Sequence, residues 1–219
     1  IVLIFLLRDD MIKRKPAPPA GEEERTGVSP FSMETITSRK NSRVQALRAL
    51  GRNNAYRREQ GLFLCDGEKL LSEALANGAD IAELYLRGAK PAGNMPEVPV
   101  YSLSEDVFDY ASPLEHSPGP LFTVRAKPLP ERVRPERVMV LENVEDPGNV
   151  GTVLRTAAAL GTELVVLLGD CADPYNPKTV RAAMGALFRQ RLWETDLSTL
   201  CAKLREWELP LCGAALRAE

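Results

Sequence analysis

Two polar side chains in the middle of the chain, Asn149 and Arg155, are the strongest candidates for chemistry. They lie in the segment LENVEDPGNVGTVLRTAAALG, residues 141–161, whose pattern predicts a buried strand, a turn and a helix. Side chains at the carboxyl end of a parallel strand face the crevice in which open α/β sheets bind ligands. An arginine there suits phosphate, because its guanidinium presents a planar array of donors. The segment has neither the G-x-G-x-x-G of a dinucleotide site nor the G-K-[ST] of a phosphate loop.

The local sequence explains how a helix forms behind these residues. Pro147 and Gly148 predict the turn, Asn149 is a suitable N-cap, and Gly161 is placed to end the helix, which we expect to span 150–160. Taken alone, the two candidates have ordinary explanations, a helix cap and a solvated arginine. Lys178 and Arg181, in a later helical segment, are weaker candidates of the same kind.

A basic stretch near the first third of the chain is the second candidate site. The formal net charge of the chain is −2, yet residues 39–58 contain seven Lys or Arg and no acid. Any nucleic-acid surface must therefore be local. The candidate RNA-binding residues are Arg39, Lys40, Asn41, Arg43, Arg57 and Arg58. From charge alone, a solvated basic face is an equally good explanation.

Composition argues against several other classes of protein. The four cysteines form no C-x-x-C pair and His116 is the only histidine, so we expect neither a metal site nor a disulfide scaffold. The opening IVLIFLL has seven apolar residues, too few to span a bilayer, and no small-residue cleavage site follows it. We therefore expect a cytoplasmic protein without membrane contact.

The hydrophobic pattern divides the chain into four parts. Residues 1–33 are Pro- and Glu-rich after the apolar start, and we expect a disordered arm or a gene-model extension, with Met33 as a natural start. Residues 34–126 alternate strand and helix patterns, as in a small α/β sandwich, and begin with a helix that Gly51 should end. A Pro-rich linker at 127–136 leads to 137–219, where regular alternation with continuously apolar first strands predicts a parallel sheet.

Two long motifs resemble one enzyme family. The segment NVEDPGNVGTVLRTA, residues 143–157, is similar to the first motif of the SpoU (TrmH) family of RNA ribose 2′-O-methyltransferases, which belong to the SPOUT class. The segment DPYNPKTVRAAMGALFR, residues 173–189, resembles the segment that follows in that family, with Ala183 where serine is usual. Residues from TSRKNSRVQALRAL to YRREQGLFLCDGEKLLSEAL resemble the ribosomal-protein-like RNA-binding domain often fused ahead of it, with Asp66-Gly67 where Glu-Gly is common.

The resemblance implies a trefoil-knot α/β fold, S-adenosyl-L-methionine (SAM) as cofactor, an RNA partner (tRNA or rRNA) and a homodimer with the site near the subunit interface. It assigns the central role to Arg155. A guanidinium is a poor general base because its pKa is above about 12, so binding a neighbouring phosphate and orienting the ribose hydroxyl is the better role. Asn149 would cap the helix and anchor the loop that meets substrate or partner.

The sequence departs from the family pattern at its carboxyl end. The Gly-Asn/Ser-Glu-x-x-Gly and Ser-Leu-Asn-Val motifs that form the family's knot and SAM pocket do not occur up to Glu219. We therefore expect a C-terminally incomplete member, with no cofactor-binding residues in this chain and no activity as it stands. A non-catalytic RNA-binding module is the second hypothesis, and a Rossmann-type nucleotide-binding protein, which lacks its glycine fingerprint here, is the third.

Overall fold

The computed structural model describes residues 2–7, 34–88, 96–127 and 134–214. Its elements begin with β1 (Val2–Leu7), β2 (Glu34–Ile36), α1 (Ser42–Arg52), α2 (Asn54–Gln60), β3 (Leu62–Asp66), α3 (Glu68–Ala76), β4 (Ile81–Arg87), β5 (Val100–Leu103), α4 (Glu105–Ala111) and β6 (Leu121–Arg125). They continue with β7 (Arg137–Glu142), α5 (Pro147–Ala159), β8 (Leu164–Leu168), α6 (Pro177–Ala183), a 3-10 turn (Ala186–Phe188), β9 (Arg191–Thr195), α7 (Leu197–Trp207) and β10 (Gly213–Ala214). Within these ranges no helix is long and apolar enough to cross a membrane.

The first sheet contains β2 to β6 in the order β2-β5-β4-β6-β3. Strands β2, β5 and β4 run parallel, and β6 runs antiparallel to both β4 and β3. Helix α1 presents Val44, Leu47 and Leu50 to a core that also holds Phe108. The predicted α/β sandwich is confirmed, because every strand and helix expected after the first basic helix is present.

The second sheet has the order β10-β1-β7-β8-β9. Strands β7, β8 and β9 are parallel, with Val140 opposite Val166 and Val166 opposite Trp193. All five residues of β8 are buried, as its continuous apolar sequence predicts for a strand covered on both faces. This confirms the predicted parallel sheet, whereas the expected absence of a knot segment stays a prediction.

The amino-terminal segment differs from the expectation of a disordered arm. Residues 2–7 form β1, which pairs antiparallel with β7 along six residues and with β10 at its other edge. The reason is physical: β7 has an edge of free backbone N–H and C=O groups, and a run of β-branched and aliphatic residues satisfies it. The rest of the arm, 8–33 with Met33, lies outside the described residues.

The basic stretch folds as two helices and not one. Gly51 does not end α1 but lies inside it, and Asn53 follows as the C-cap. The side chain of Asn53 also accepts a hydrogen bond from the backbone N–H of Tyr56 and so caps α2, which the sequence pattern had not predicted. Gly61, with φ of 61°, ends α2 in the left-handed conformation that favours glycine.

One of the three hydrophobic clusters among the described residues joins the two sheets. A single cluster of buried side chains contains Phe63 from β3 together with Leu141 from β7 and Leu154 from α5. The ring of Phe63 also stacks on Tyr175, with centroids 4.9 Å apart. Most of the predicted linker, 128–133, lies outside the described residues, so the proposed division at 127–136 stays a prediction.

Candidate functional site

The loop between β7 and α5 forms the centre of the candidate site. Asp146 is the N-cap of α5, because its carboxylate accepts a hydrogen bond from the backbone N–H of Asn149 at 2.8 Å. The prediction that Asn149 caps the helix is therefore wrong, because Pro147 occupies the first turn and the helix begins three residues earlier than expected. Asn149 lies in the first turn with its side chain exposed, so it is free of the capping role.

Asp146 also joins the two motifs of the sequence. Its carboxylate lies 3.1 Å from the ammonium of Lys178, at the start of α6. The pKa of the Asp146 carboxyl is lowered, first by the hydrogen bond from the N–H of Asn149 and then by Lys178. The carboxylate is thus held in its charged form at the positive end of α5.

Asn143 connects the carboxyl ends of β7 and β8. Its backbone adopts φ of 52°, its N–H donates to the carbonyl of Leu168, and its side-chain oxygen accepts from the N–H of Asp170 at 2.9 Å. Gly169 lies so close that a Cβ there would overlap the Asn143 side-chain oxygen. The sequence placed Asn143 at this strand end but gave no sign of its bond to the next strand.

Arg155 lies on the exposed flank of α5, as expected. Among the described residues it has no hydrogen-bond or ion-pair partner. Its neighbour Thr152 directs its hydroxyl back to the carbonyl of Gly148 at 2.8 Å, so the flank presents little except the guanidinium. Leu160, the last residue before Gly161, is 57% exposed at the end of the same helix. Gly161 ends the helix as predicted, with φ of 72°.

Gly151 brings the two motif helices into direct contact. A Cβ at this position would lie 2.5 Å from the Cβ of Ala182 and 2.6 Å from the carbonyl oxygen of Thr179. Only glycine fits where α5 crosses α6 this closely. Sequence reasoning had given Gly151 no role, although a glycine inside a helix pattern is a signal for close packing.

A cleft of about 620 Å³ lies where α3 faces α6. Lys178 and Arg181 line it from one side, with Lys69 and Glu73 opposite. Asp66 lies at its inner end; burial raises the pKa of this carboxyl, against the hydrogen bonds from the Ser117 and Ser112 hydroxyls. Lys178 and Arg181, the weaker candidates of the sequence, thus share a cleft with Asp66 and Gly67 of the segment that resembles the RNA-binding domain.

The exposed basic residues cluster at the start of α1. Arg39 stacks over the ring of Tyr110 at 5.3 Å and lies 3.6 Å from a carboxylate oxygen of Asp106. Lys40 is exposed, and its side chain has no partner in the described part of the chain. Asn41 caps α1 by accepting from the backbone N–H of Arg43 at 2.9 Å. Lys40 is therefore available to a phosphate, and Arg39 keeps a side chain that is 56% exposed beside its contact with Asp106.

The remaining basic candidates are engaged by acids. Arg43 forms an ion pair with Glu83, and Arg58 forms one with Glu194. Arg57 is only 4% exposed; its guanidinium contacts Asp173 at 2.6 Å and donates to the carbonyl of Leu50 at 2.6 Å. The Arg57 guanidinium therefore leaves no surface for RNA in this structure, because it is buried against Asp173 and the carbonyl of Leu50.

A small cavity lies at the carboxyl ends of β8 and β9, where open α/β sheets bind ligands. It has about 240 Å³, whereas pockets for drug-sized ligands have roughly 300–1,000 Å³. Asp173 and Glu194, which line it, are already paired with arginines. In the same ranges no group of three or more His, Cys, Asp or Glu is placed to hold a metal ion, and the four cysteines are free thiols.

Comparison with known proteins finds a matching family model for each half of the chain. Residues 136–219 match the model of the SpoU rRNA methylase family, and residues 41–121 match that of the MRM3-like substrate binding domain. The 23S rRNA (guanosine(2553)-2′-O)-methyltransferase RlmP of Bacillus subtilis is 31% identical over 187 residues, which cover 84% of this chain and 75% of that protein. The mitochondrial rRNA methyltransferase 3 of Mus musculus is 29% identical over 78% of this chain but only 45% of its own length.

Solved structures of rRNA methyltransferases resemble this chain as well. The AdoMet-bound rRNA methyltransferase from Sinorhizobium meliloti superposes with a TM-score of 0.66 and 27% identity, over 80% of this chain and 68% of that one. The likeness extends to the SpoU methyltransferase AviRb from Streptomyces viridochromogenes, with a TM-score of 0.67 at 24% identity, which supports the fold alone. The chain belongs to the SpoU family of rRNA methyltransferases.

Proposed function

We propose that the protein transfers a methyl group from SAM to a ribose 2′-hydroxyl of rRNA. The observation that carries the proposal is that Arg155, exposed on α5 within the family's first motif, has no partner among the described residues. RlmP of Bacillus subtilis is named for 2′-O-methylation of 23S rRNA, which is the same reaction. tRNA, the other substrate that the motifs allow, has less support, because the named relatives act on rRNA.

Arg155 would bind the phosphate beside the reacting ribose. Its guanidinium stays charged at neutral pH, so it orients the hydroxyl and its phosphate and does not remove the proton. Binding the reacting groups in one geometry lowers the entropic part of the barrier. Asn149, released from capping by Asp146, would anchor the substrate loop or a partner subunit.

We also propose that residues 34–126 form the substrate-binding domain and 137–219 the methyltransferase domain. Exposed Arg39 and Lys40 would contact the RNA backbone without selecting sequence. A homodimer with the site near the subunit interface is consistent with the exposed Leu160 at the end of α5. A cytoplasmic location fits a bacterial rRNA enzyme, although the mouse relative is named as mitochondrial.

The test is methyl transfer from tritiated SAM to unmodified rRNA transcripts by the full-length gene product. We expect label at one nucleotide and a phosphodiester bond there that resists alkaline cleavage, since that cleavage needs a free 2′-hydroxyl. A transcript with 2′-deoxyribose at the labelled position is the control and should accept no methyl group. RNA binding without any transfer would favour the non-catalytic RNA-binding module, with which the small cavity at β8 and β9 is consistent.

A further inference from the structure

A second cavity lies beneath α1, away from the Arg155 flank. It has about 470 Å³ and is bounded by α1, α2 and the first sheet. Its polar lining includes Arg43, Tyr56, Gln60, Glu83, Tyr85 and Thr123. Leucines of α1 supply an apolar wall. A concave, partly apolar site with a few polar groups is the usual form of a small-ligand pocket.

The charges around this cavity disfavour a phosphate as its occupant. Arg43 is paired with Glu83, so the two contribute no net charge. The Glu83 carboxylate also accepts the Tyr85 hydroxyl at 2.5 Å. A phosphate here would meet a carboxylate, whereas an uncharged ring would meet acceptors, donors and an apolar wall together.

The polar groups can match the edge of a nucleobase. Gln60 is exposed, its side-chain amide has no partner among the described residues, and it offers both a donor and an acceptor. A carboxylate has about four acceptor positions, so Glu83 retains capacity beyond Arg43 and Tyr85. The Thr123 hydroxyl is buried and has no hydrogen-bond partner in the described part of the chain, which a ligand could relieve.

The cavity also presents aromatic rings and a guanidinium plane on which a base can stack. Arg43 stacks on Tyr101 with 4.3 Å between its guanidinium carbon and the ring centroid, and its side chain is still 41% exposed. The ring of Tyr56 lines the cavity and is half-buried. Proteins that read single-stranded RNA stack unpaired bases on such planes and hydrogen-bond their edges.

We propose that this cavity, which we name the base pocket, binds one unpaired nucleobase of the substrate RNA. The proposal rests on the proposed function, since that supplies RNA as the ligand. The base pocket lies behind exposed Arg39 and Lys40 at the start of α1, so phosphates held there would position the next base over it. It gives the substrate-binding half a way to select RNA structure that backbone contacts lack.

The test uses 5′-labelled, single-stranded 12-nucleotide RNAs (oligo-U, oligo-A and oligo-C) and a matching abasic strand, with binding measured by fluorescence anisotropy on the full chain. Ala46→Met fills the base pocket from α1 without changing charge. Ala49→Met, on the same helix but not lining the cavity, is the matched control. Gln60→Ala, at an exposed position, is a second variant that cannot fail through unfolding of a core.

We expect the wild type to bind at least one base-bearing strand about tenfold more tightly than the abasic strand, as one stacked base contributes. Ala46→Met should remove that difference and leave the abasic affinity unchanged, while Ala49→Met changes neither. Equal affinities for base-bearing and abasic strands, or an equal loss on both, would overturn the base pocket while leaving methyl transfer intact. Absence of all RNA binding together with absence of methyl transfer would overturn the proposed function as well.

Discussion

Helices α1 and α5 look alike in sequence and differ in structure. Each begins near an asparagine, carries a glycine within its pattern and exposes arginine. In α1 the asparagine, Asn41, is the cap and Arg43 is paired with Glu83. In α5 Asp146 caps the helix, and Arg155 has no partner among the described residues. The difference shows that partners, and not residue types, separate a structural arginine from one available to substrate.

The largest effect should come from the buried pair that joins the basic stretch to the second sheet. Arg57→Ala leaves the Asp173 carboxylate buried without its partner, and should lower the free energy of unfolding by about 3–5 kcal/mol. Arg58→Ala, which breaks the exposed pair with Glu194, is the control and should cost about 0–1 kcal/mol. Urea unfolding measures both. Equal losses would mean that the two pairs do not differ as their burial indicates.

Arg155→Ala tests the arginine of α5, which has no partner among the described residues. Methyl transfer by the full-length gene product should fall by roughly 100-fold or more, the usual loss for a positioned donor. The thermal midpoint should stay within a few degrees, because an exposed helix arginine contributes little to stability. Arg205→Ala, another exposed helix arginine, should leave transfer unchanged. Near-normal turnover by Arg155→Ala would remove its assigned role.

Replacing each of the two helix glycines by alanine should change the free energy of unfolding in opposite directions. Gly151→Ala should destabilise by about 1–3 kcal/mol, since the new methyl group collides with Ala182 and Thr179. Gly51→Ala has its nearest neighbours at 3.7 Å, so helix propensity should dominate and stabilise by about 0.5–1 kcal/mol. Thermal unfolding of the two variants checks the signs. A stabilising Gly151→Ala would show that α5 and α6 can separate at little cost.

Asp146 and Asn149 should differ in how much they stabilise the protein, because Asp146 is the residue that caps α5. Asp146→Ala removes the bond to the N–H of Asn149 and the contact with Lys178, and should lower the denaturant midpoint. Asn149→Ala should change stability by less than about 0.5 kcal/mol, as its side chain is exposed. Denaturant midpoints of both variants provide the measurement. A larger loss for Asn149→Ala would restore the cap to the residue that the sequence suggested.

The smallest effect concerns the exposed residues of the basic stretch. Replacing Arg39 and Lys40 together by Ala should make the plot of log K against log salt shallower by about two units on a duplex-like RNA, about 0.9 for each phosphate contact. Arg58→Ala should instead leave the slope unchanged, since its guanidinium is paired with Glu194 within the protein. An unchanged slope for Arg39 and Lys40 would identify a solvated face.

The sequence by itself determined the alternation of strands and helices, the parallel second sheet, the exposed Arg155 and the stop at Gly161. These follow from local patterns: hydrophobic period, apolar runs and the glycine that a left-handed residue needs. The family resemblance, carried by two long motifs, was equally local. Each of these properties depends on residues that lie close together in the chain.

Only the tertiary structure decided the rest. It paired β1 with β7, moved the cap of α5 to Asp146, and buried Arg57 against Asp173, which is 116 residues away. It also placed Gly151 against α6. A charge pattern shows where cations are but not which acids approach them from another sheet. The partner that neutralises an arginine, or the backbone that crowds a glycine, is set by packing between distant segments, and the local sequence carries no record of it.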